Sequence, residues 1–544
     1  MRKSYKQTSY TLLKNGLVVD GTGQKGMTGN VLINGPNIEE ISRQAIDVDG
    51  EIIDCTGKVI APGFIDIHSH QDWFLPSKEH NKFTSPFTSQ GITTFIGGNC
   101  GFAPAGFKKD SPHKGEIEHT LFRFFRAGLD KLPWDSIEEY FKHLSREGIS
   151  HNLSNFAGYN TTRGSIKALK PDPMRADEMK DLLWLLEEAM DQGAKGVSLG
   201  LQYEPGIFAT TNELGEIARL VKRKNKIITV HAKALSALSG SYPLSLNKSH
   251  NLQAIQDMID LARDTGVRLQ FSHLIFVGTR TWGTHEKALE LFDRAMLEGI
   301  DIKFDTYAHH GGASLLYVVL PEWFIVRAPE VYNNSLALRR LRFEMMFAQR
   351  LLGFGYGEMQ VTYANHPELN EYNGMFLSDI ASKRGLSPFE NFIDFIKRGN
   401  RGVKVLMHKH SNQKIIEALM KHPASLFMTD AWSEPEGQQN PGAFGTFPRF
   451  LQLARDKKLL SLEETIHKMT GACASRVGIK DRGTLKEGLA ADITVFDWNT
   501  IRDNTTVEQP AEPPTGIEFV FINGAQVLGN GKADGSLRPG VILI

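Results

Sequence analysis

The chain has 544 residues, and its 62 basic and 62 acidic side chains cancel at neutral pH. This length is too great for one ordinary hydrophobic core, so we expect a large domain and a smaller one. The charge balance gives no indication of nucleic acid or of a membrane surface as a partner. The 3 cysteines are too few for a disulfide framework. We predict a cytoplasmic protein, since the chain also lacks the apolar run of a signal peptide and the ~20 apolar residues of a membrane helix.

Both ends of the chain are rich in short predicted strands. Residues 10–59 alternate β-rich segments with Gly and Asn turns, and the C-terminal segments ADITVFD and IEFVFINGAQVL have the same character. A different kind of sequence lies between them. We therefore predict one small β-domain built from both termini, over residues 1–60 and 480–544.

The middle of the chain, residues 61–479, alternates predicted strands with amphipathic helical patterns at intervals of about 30 to 40 residues. Two of the predicted helices run near Leu252–Asp264 and His285–Glu298. Eight such units predict an α/β fold, a (β/α)₈ TIM-like barrel with its reactive groups at the C-terminal ends of the strands. The predicted strands are Phe64–His70, Thr93–Asn99, Ser154–Asn160, Lys195–Leu201, Ile227–Ala232, Val267–His273, Ile300–Tyr307 and Leu426–Trp432.

A long segment, Ala308–Ser425, interrupts the alternation between the seventh and eighth predicted strands. It contains a basic and aromatic helical stretch, LALRRLRFEMMFAQRLL, and a Gly/Tyr-rich stretch, GFGYGEM. A solvated surface helix would account for the first of these. We prefer an insertion that acts as a lid over the barrel mouth, because long insertions in compact domains tend to be functional.

Metal-competent side chains occur at the C-terminal ends of several predicted strands. His68 and His70 are two residues apart, a spacing that directs both side chains to one face of a strand. The remaining candidates are Cys100 in GGNCG, His231, His273 and Asp430. Imidazole, thiolate and carboxylate are the ligands that zinc takes in proteins, so this set predicts a site for one or two Zn²⁺ ions.

Two of these residues have further predicted roles. Cys100 is a candidate bridge between two metal ions, which lie about 3.5–4 Å apart in binuclear sites; a small buried hydrophobe is the alternative. The glycines beside Cys100 indicate a loop and favour the ligand. Asp430 is a candidate proton carrier between the attacking water and the leaving nitrogen, and a cap for the following loop is the alternative.

Several motifs resemble the amidohydrolase superfamily, and within it the D-aminoacylases, or N-acyl-D-amino-acid deacylases. They are PGFIDIHSH, GGNCG, VHAK, FSH, TDAWSEPEG, GTFPRFL and KMTGACASRVGIKDRGTLKEGLAADITVFD, and the similarity extends over nearly the whole chain. The resemblance implies a barrel beside a small β-sandwich. It also implies zinc-dependent cleavage of a C–N amide bond in a small-molecule substrate by metal-activated water.

The resemblance further implies roles for individual residues. The tight metal site would use Cys100, His231 and His273, and the second site would use His68, His70 and Asp430. Tyr203, in GLQYEPG, matches a tyrosine near the substrate carbonyl, although a residue that anchors the loop is the alternative.

The sequence departs from the family pattern where the substrate would be bound. The run Leu274–Phe276 stands where a lysine is usual, Lys233 stands where an arginine is usual, and Asn440–Gly442 stands where His-Pro-Arg is usual. We therefore predict a pocket for a more apolar or differently anchored amide than a simple N-acyl-D-amino acid. Lys233, Arg280 and Lys409 are candidate substrate-binding cations, with solvent-exposed side chains as the alternative.

Two other functions remain open at this point. One is hydrolysis of a cyclic amide, as in hydantoinases and dihydroorotases. The other is a catalytically inactive barrel that only binds metal. The presence of Asp430 together with all five other candidate ligands argues against an inactive site. The sequence leaves a homo-oligomer open.

Overall fold

The computed structural model describes residues 4–242 and 248–544. Its strands are short in the middle of the chain and follow one another closely at the two ends. In chain order they are β1 (Ser4–Val18), β2 (Met27–Asn34), β3 (Asn37–Ser42), β4 (Asp47–Asp54), β5 (Val59–Pro62), β6 (Phe64–Asp66), β7 (Ile92–Gly97), β8 (Asn152–Asn155), β9 (Ala157–Gly158), β10 (Gly196–Gly200), β11 (Ile227–His231), β12 (Arg268–Phe271), β13 (Ile302–Thr306), β14 (Gly312–Leu315), β15 (Met359–Tyr363), β16 (Lys404–Met407), β17 (Ser425–Phe427), β18 (Ile493–Phe496), β19 (Ile517–Ile522), β20 (Ala525–Gly529) and β21 (Lys532–Ala533).

The α-helices lie between the strands of the middle region. In chain order they are α1 (His80–Thr88), α2 (Lys114–Phe125), α3 (Ile137–Glu147), α4 (Tyr159–Lys167), α5 (Ala176–Asp191), α6 (Thr211–Arg223), α7 (His250–Thr265), α8 (His285–Leu297), α9 (Glu322–Ile325), α10 (Ser335–Leu352), α11 (Leu377–Arg384), α12 (Pro388–Arg398), α13 (Gln413–Lys421), α14 (Gly442–Lys457), α15 (Leu462–Met469) and α16 (Gly471–Val477). Short 3₁₀ helices occur at Gln71–Trp73, Gly206–Phe208, Trp282–Thr284, Leu316–Val319, Glu330–Asn333, Tyr356–Glu358 and Pro367–Tyr372.

Helix α6 shows why these segments are helical. The Thr210 side chain accepts a hydrogen bond from the Glu213 N–H group and so caps the first turn. Leu214, Ile217 and Val221 are buried at helical spacing, so one face packs against the barrel while the other stays polar. The helices predicted near Leu252 and His285 are present as α7 and α8.

The middle region contains the predicted barrel of parallel strands. We name β6, β7, β8 with β9, β10, β11, β12, β13 and β17 barrel strands one to eight. Strands one to three form one hydrogen-bonded set, and the remaining strands, beginning at β9, form a second set. Barrel strands four and five, GVSLG and IITVH, are buried at every position, which explains why they are mainly apolar and lack a polar alternation. The (β/α)₈ fold class is confirmed.

Two details of the barrel differ from the sequence-based prediction. Strand one ends at Asp66, so His68 and His70 follow the strand instead of lying on it. The segment after strand eight is joined to strand one by the Thr429 N–H group, which donates to Asp66 Oδ1 (2.9 Å), and by the Asp430 N–H group, which donates to the His68 carbonyl (3.1 Å). The barrel therefore closes partly through a buried carboxylate, because strands one and eight are not paired as a ladder in the described part of the chain.

The two chain ends together form the smaller unit. Strands β1–β5 and β18–β21 belong to one nine-stranded sheet, within which β5 pairs with both β1 and β18. Leu13 and Val31 from the N-terminal end share an apolar core with Ile493, Val495 and Phe521 from the C-terminal end. The small β-domain built from both termini is therefore present. Residues 1–3 lie outside the described residues, and the boundaries near residues 60 and 480 remain a prediction.

The segment between barrel strands seven and eight folds around its own apolar core. Strands β14, β16 and β15 form an antiparallel sheet in that order, and helices α9–α12 pack with it, whereas α13 packs against the barrel. The predicted basic and aromatic helix is α10. The segment contacts the loop after barrel strand six, where the Phe276 N–H group donates to the His410 carbonyl (2.8 Å). It therefore lies at the C-terminal ends of the barrel strands. Within residues 4–242 and 248–544, no helix has the length and apolar character needed to cross a bilayer.

Candidate metal centre

The six candidate ligands all lie at or just beyond the C-terminal ends of barrel strands. His231 is the last residue of strand five, and the other five follow strands one, two, six and eight. Cys100, His273 and Asp430 have φ angles of 53°, 32° and 48°. This left-handed conformation is uncommon for residues with a side chain and is concentrated at functional sites. The chain therefore turns sharply at three of the six positions.

The first ligand group consists of Cys100, His231 and His273. Cys100 Sγ is 3.7 Å from His231 Nδ1 and 3.6 Å from His273 Nε2, and the two nitrogens are 2.7 Å apart. Tetrahedral zinc, with Zn–S of about 2.3 Å and Zn–N of about 2.0–2.1 Å, places its ligand atoms about 3.3–3.6 Å apart. The sulfur–nitrogen distances agree with this spacing. The nitrogen–nitrogen distance is shorter than the spacing requires.

The second ligand group consists of His68, His70 and Asp430, and it also includes Cys100. Asp430 Oδ1 is 3.5 Å from His68 Nε2 and 3.5 Å from His70 Nε2. Cys100 Sγ is 3.4 Å from His68 Nε2. In each group the candidate ligand atoms lie within 4.8 Å of one another, and Cys100 is common to both groups. Its position is therefore that of a shared ligand.

Neighbouring polar groups orient the imidazoles. His231 Nε2 lies 2.9 Å from Gln202 Oε1, which leaves Nδ1 directed toward Cys100. His68 Nδ1 lies 3.4 Å from Asp305 Oδ1. The same oxygen accepts a hydrogen bond from the backbone N–H group of His273 (2.6 Å). Partners of this kind fix the tautomer and the ring orientation of metal-binding histidines. Sequence reasoning missed Gln202 and Asp305, although Asp305 is a carboxylate in an apolar strand.

The charge states of Asp430 and of three of the four imidazoles suit a cation, whereas the neighbouring anions raise the pKa of His68. Burial raises the pKa of Asp430, but His68, His70 and His273 outweigh burial and hold it below its usual range. Burial lowers the pKa of His273, so this imidazole is neutral and has a free lone pair. Burial raises the pKa of the Cys100 thiol to about 11. A bound cation would reverse that shift, since metal ligation requires the thiolate.

The donor set as a whole fits zinc. Its sulfur, nitrogen and oxygen atoms are the types that zinc binds, and five of the six residues are fully buried. His70 Nδ1 and His273 Nδ1 have no hydrogen-bond partner among the described residues. In both residues the other ring nitrogen, Nε2, is the atom that faces the candidate ligands.

Tyr203 packs against this cluster. Its ring centroid is 4.5 Å from that of His231 and 5.6 Å from that of Phe102. Burial raises the pKa of Tyr203 well above its usual value, so the phenol keeps its proton. Tyr203 is therefore beside the metal centre and carries a hydrogen-bond donor.

The candidate substrate-binding cations lie farther from the ligands. Lys233 is half-buried, with Nζ 5.8 Å from the ring centroid of Tyr242, and Arg280 is exposed. Lys409 Nζ pairs with Glu358 Oε1 at 2.6 Å. In the described part of the chain, none of these cations forms a hydrogen bond or an ion pair with the six candidate ligands. Roles for Lys233 and Arg280 in substrate binding remain predictions.

A narrow cavity reaches Asp430 from the side of barrel strand seven, and as it stands it is too small to hold a water molecule. The residues that line it are Tyr307, His309, Gly311, Gly312, Thr429, Asp430, Asn440 and Gly442. Sequence reasoning missed Tyr307 and His309 as site residues. Both follow the end of strand seven in FDTYAHH, so the rule that identified the metal ligands also applies to them.

Comparison with known proteins shows that the chain is similar to amidohydrolases and N-acyl-D-amino-acid deacylases. A model of the "Amidohydrolase family" matches residues 401–528. A D-aminoacylase from Alcaligenes xylosoxydans xylosoxydans is 28% identical over 97% of this chain and 96% of its own length. An N-acyl-D-glutamate deacylase from the same organism is 27% identical over 98% and 96%.

A solved structure agrees with these relatives at the level of the fold. It is an N-acyl-D-glutamate deacylase from Bordetella bronchiseptica, complexed with zinc and a phosphonate inhibitor. It matches with a TM-score of 0.80 and 24% identity, covering 99% of this chain and 100% of its own. The resemblance inferred from the motifs is confirmed.

Proposed function

We propose that this chain, a homologue of the D-aminoacylases that carries an amidohydrolase family domain, is a zinc-dependent hydrolase of the C–N amide bond in a small N-acylated molecule. The observation that carries the proposal is the pair of ligand groups that share Cys100 at the C-terminal end of the barrel. Reactive groups of barrel enzymes occur at this end. The names of the relatives support a linear N-acyl substrate over a cyclic one.

Cys100, His231 and His273 would hold one zinc ion. His68, His70 and Asp430, with Cys100 shared, would hold a second. When bound, zinc lowers the pKa of a water ligand to about 7 and polarises a carbonyl group. Gln202 and Asp305 would keep the imidazoles in the orientation that ligation requires.

Asp430 would move the proton. Its carboxylate is ionised at neutral pH because the surrounding imidazoles outweigh the effect of burial on its pKa. It would accept a proton from the attacking water and donate that proton to the nitrogen of the leaving amine. The protonation is needed because an amine anion is a poor leaving group. The turn at Asp430 directs this carboxylate toward His68 and His70.

Tyr203 would donate its phenolic proton in a hydrogen bond to the carbonyl oxygen of the substrate. A donor fixed beside the reacting carbonyl stabilises the negative charge that develops there. The ring of Trp432 lies 5.7 Å from that of His70, beside the second ligand group. Aromatic walls of this kind exclude water and strengthen the interactions inside.

The proposal is tested with zinc-loaded protein and a panel of N-acetyl-D-amino acids, their L forms, N-acetyl amides, hydantoin and dihydrouracil. Released amine is measured for the linear substrates, and ring opening is measured for the cyclic ones. We expect zinc-dependent turnover of at least one linear compound. Turnover of the cyclic compounds alone would favour the hydantoinase type, and no turnover by protein that retains zinc would favour an inactive barrel.

A further inference from the structure

The cavity beside Asp430 is built from groups outside the metal centre. Tyr307 and His309 come from the segment after barrel strand seven, and Asn440 comes from the segment after strand eight. Since Asp430 and Thr429 form its inner wall, a molecule with its amide at the metal centre would extend toward this cavity and enter it once the lining side chains move apart. The side chains here would then contact the part of the substrate next to the scissile bond.

His309 contributes a buried polar atom without a partner. The residue is only 8% exposed, and its Nε2 atom has no hydrogen-bond partner among the described residues. The nearby carboxylate of Asp503 is 3.9 Å away, beyond hydrogen-bond distance. An unsatisfied buried nitrogen is costly, and a ligand atom in the cavity would satisfy it.

Tyr307 presents a second polar group, held by a histidine from the inserted segment. Tyr307 Oη is 2.9 Å from His410 Nδ1, and both residues are buried. The His410 N–H group donates to the His310 carbonyl (2.8 Å), which fixes the backbone of the pair. A Cβ atom at position 312 would lie 2.9 Å from Tyr307 Oη, so Gly312 keeps the space beside the phenol free.

These polar groups carry no charge. Burial lowers the pKa of His309 well below its usual value, and Arg449 and His310 lower it further. Burial likewise lowers the pKa of His410, to about 3. Burial also raises the pKa of Tyr307 well above its usual range, so its proton stays on. The cavity is therefore lined by one neutral imidazole, that of His309, and by a neutral phenol whose hydroxyl group is paired with a neutral His410.

The cations nearby already have anionic partners. The Arg449 Nη1 atom lies 3.3 Å from Asp503 Oδ2, and its Nε–H group donates to the Ala308 carbonyl (2.9 Å). Lys409 pairs with Glu358. A substrate carboxylate in this cavity would be buried without a dedicated cation, which is unfavourable. A neutral carbonyl or amide would instead match the available hydrogen-bonding atoms.

We infer that this cavity binds a neutral hydrogen-bonding group of the substrate next to the scissile amide, read by Tyr307 and His309, with His410 as the residue that positions Tyr307. The substrate class is then an N-acyl amino acid amide or ester, or a comparable N-acylated amine with an uncharged polar neighbour, and not a free N-acyl amino acid. The inference rests on the proposed function.

The test compares N-acetyl-D-methionine with its carboxamide and its methyl ester, using zinc-loaded protein and the release of the N-acetyl group as acetate. We expect kcat/KM for the two neutral compounds to exceed that for the acid by on the order of tenfold or more, the effect of one unsatisfied buried charge or hydrogen bond.

Variants assign the preference to residues. Tyr307→Phe and His309→Phe should lower kcat/KM for the carboxamide on the order of tenfold, mainly through KM, with little change for the acid. His410→Phe should act in the same direction as Tyr307→Phe, and the double variant should add little, because His410 acts through Tyr307. Tyr356→Phe, whose hydroxyl contacts Met345 Sδ (3.8 Å) in the inserted segment, is the matched control.

A charged variant tests the same idea in the opposite direction. Gly442→Arg adds a guanidinium to the cavity wall, so kcat/KM should shift toward the acid. A Cβ atom at Gly442 would lie 3.2 Å from Asn440 Oδ1, so zinc content and circular dichroism are checked first. If this variant does not fold, Asn440→Lys places a cation on the same wall.

Contrary outcomes separate the inference from the proposed function. A strong preference for the acid overturns the inference, whether or not Lys233→Met removes that preference; removal would identify Lys233 as the anchor. If zinc-loaded protein cleaves none of the three compounds and no other linear compound of the panel, the proposed function fails. Calorimetric titration with D-methioninamide and D-methionine then tests the cavity without turnover, and failure to prefer the amide overturns the inference by itself.

Discussion

The two ligand groups of the metal centre differ in how the chain holds them. Cys100, His231 and His273 follow strands inside the barrel, and the strands that carry the two histidines pair in register. Asp430, in the other group, lies on a segment joined to strand one mainly through the carboxylate of Asp66. The barrel itself thus fixes the first group, whereas the second depends on additional contacts.

The segment that follows Asp430 is also tied to the insertion. The Trp432 Nε1–H group donates to Glu434 Oε1 (2.8 Å), and Lys404 Nζ from β16 pairs with the same carboxylate (2.8 Å). Both ends of this ion pair are buried. The comparison teaches that the insertion reaches the segment after Asp430 through a buried ion pair, whereas it meets the segment after His273 through backbone hydrogen bonds. The following four changes test this difference, from the largest expected effect on activity to the smallest.

Replacing Cys100 by Ala removes the ligand that both groups share. We expect the protein to lose its tightly bound zinc and its activity to fall to background, because neither group then retains its full donor set. Elemental analysis and turnover are the measurements. Cys55→Ala and Cys473→Ala are matched controls, since both thiols are free, buried and outside the centre. A Cys100→Ala protein with normal zinc content would contradict the ligand assignment.

Replacing Asp430 by Asn changes only the second group and the proton carrier. The amide keeps the shape of the side chain but cannot take a proton at neutral pH. We expect kcat to fall on the order of 10²–10⁴-fold, the usual contribution of a general base, while the first group keeps its zinc. Steady-state kinetics with parallel zinc analysis measures both effects. Near-normal turnover would remove Asp430 from the mechanism.

Replacing Gln202 by Leu removes the oxygen that orients His231. Loss of such an outer partner typically costs ~10–100-fold in metal affinity or activity. We expect weaker zinc retention in competition with a chelator, and restoration of kcat when zinc is added in excess. Gln270→Leu is not a suitable control, because Gln270 bonds to Asp305. An exposed glutamine of the small β-domain, changed as Gln24→Leu, serves instead, and an equal loss there would contradict the role of Gln202.

Replacing Lys404 by Met breaks the buried ion pair with Glu434. We expect the largest effect on stability, up to ~3–5 kcal/mol in the free energy of unfolding, because the buried Glu434 carboxylate then keeps Arg126 Nη1, at 3.9 Å, as a more distant cationic partner. Activity should fall less than tenfold. The loss should accompany release of zinc from the second ligand group, which contains Asp430, and not from the first. The double variant Lys404→Met with Glu434→Leu should recover most of the stability. Denaturant unfolding measures the change in stability, and zinc stoichiometry shows which ligand group loses its metal.

The sequence was sufficient to predict the barrel and the metal-competent residues. Barrel strands such as IITVH are mainly apolar and end in a polar residue. Both the strand and its candidate ligand can therefore be predicted from a few neighbouring residues. The rule that reactive groups follow the strand ends identified His231 and Asp430 in the same way. Applied to strand seven, the rule would also have identified Asp305 and Tyr307.

Other parts of the site had no local signal. His410 lies 103 residues after Tyr307 and belongs to an insertion without a repeating pattern. The candidate cation Lys409, one residue before it, is engaged by Glu358, a partner that its sequence neighbourhood does not indicate. Contacts between irregular segments depend on packing over long sequence separations, and hydrophobic periodicity does not encode them.

By itself, the sequence determined which segments are strands and helices, which ends carry sulfur, nitrogen and oxygen ligands, and that both termini build one β-domain. These features follow from periodicity and side-chain chemistry, which are local. Only the tertiary structure decided that Cys100 is common to both ligand groups and that a neutral cavity lies beside Asp430. Closing the barrel and folding the insertion against it set these distances, because they bring together atoms from segments far apart in the chain.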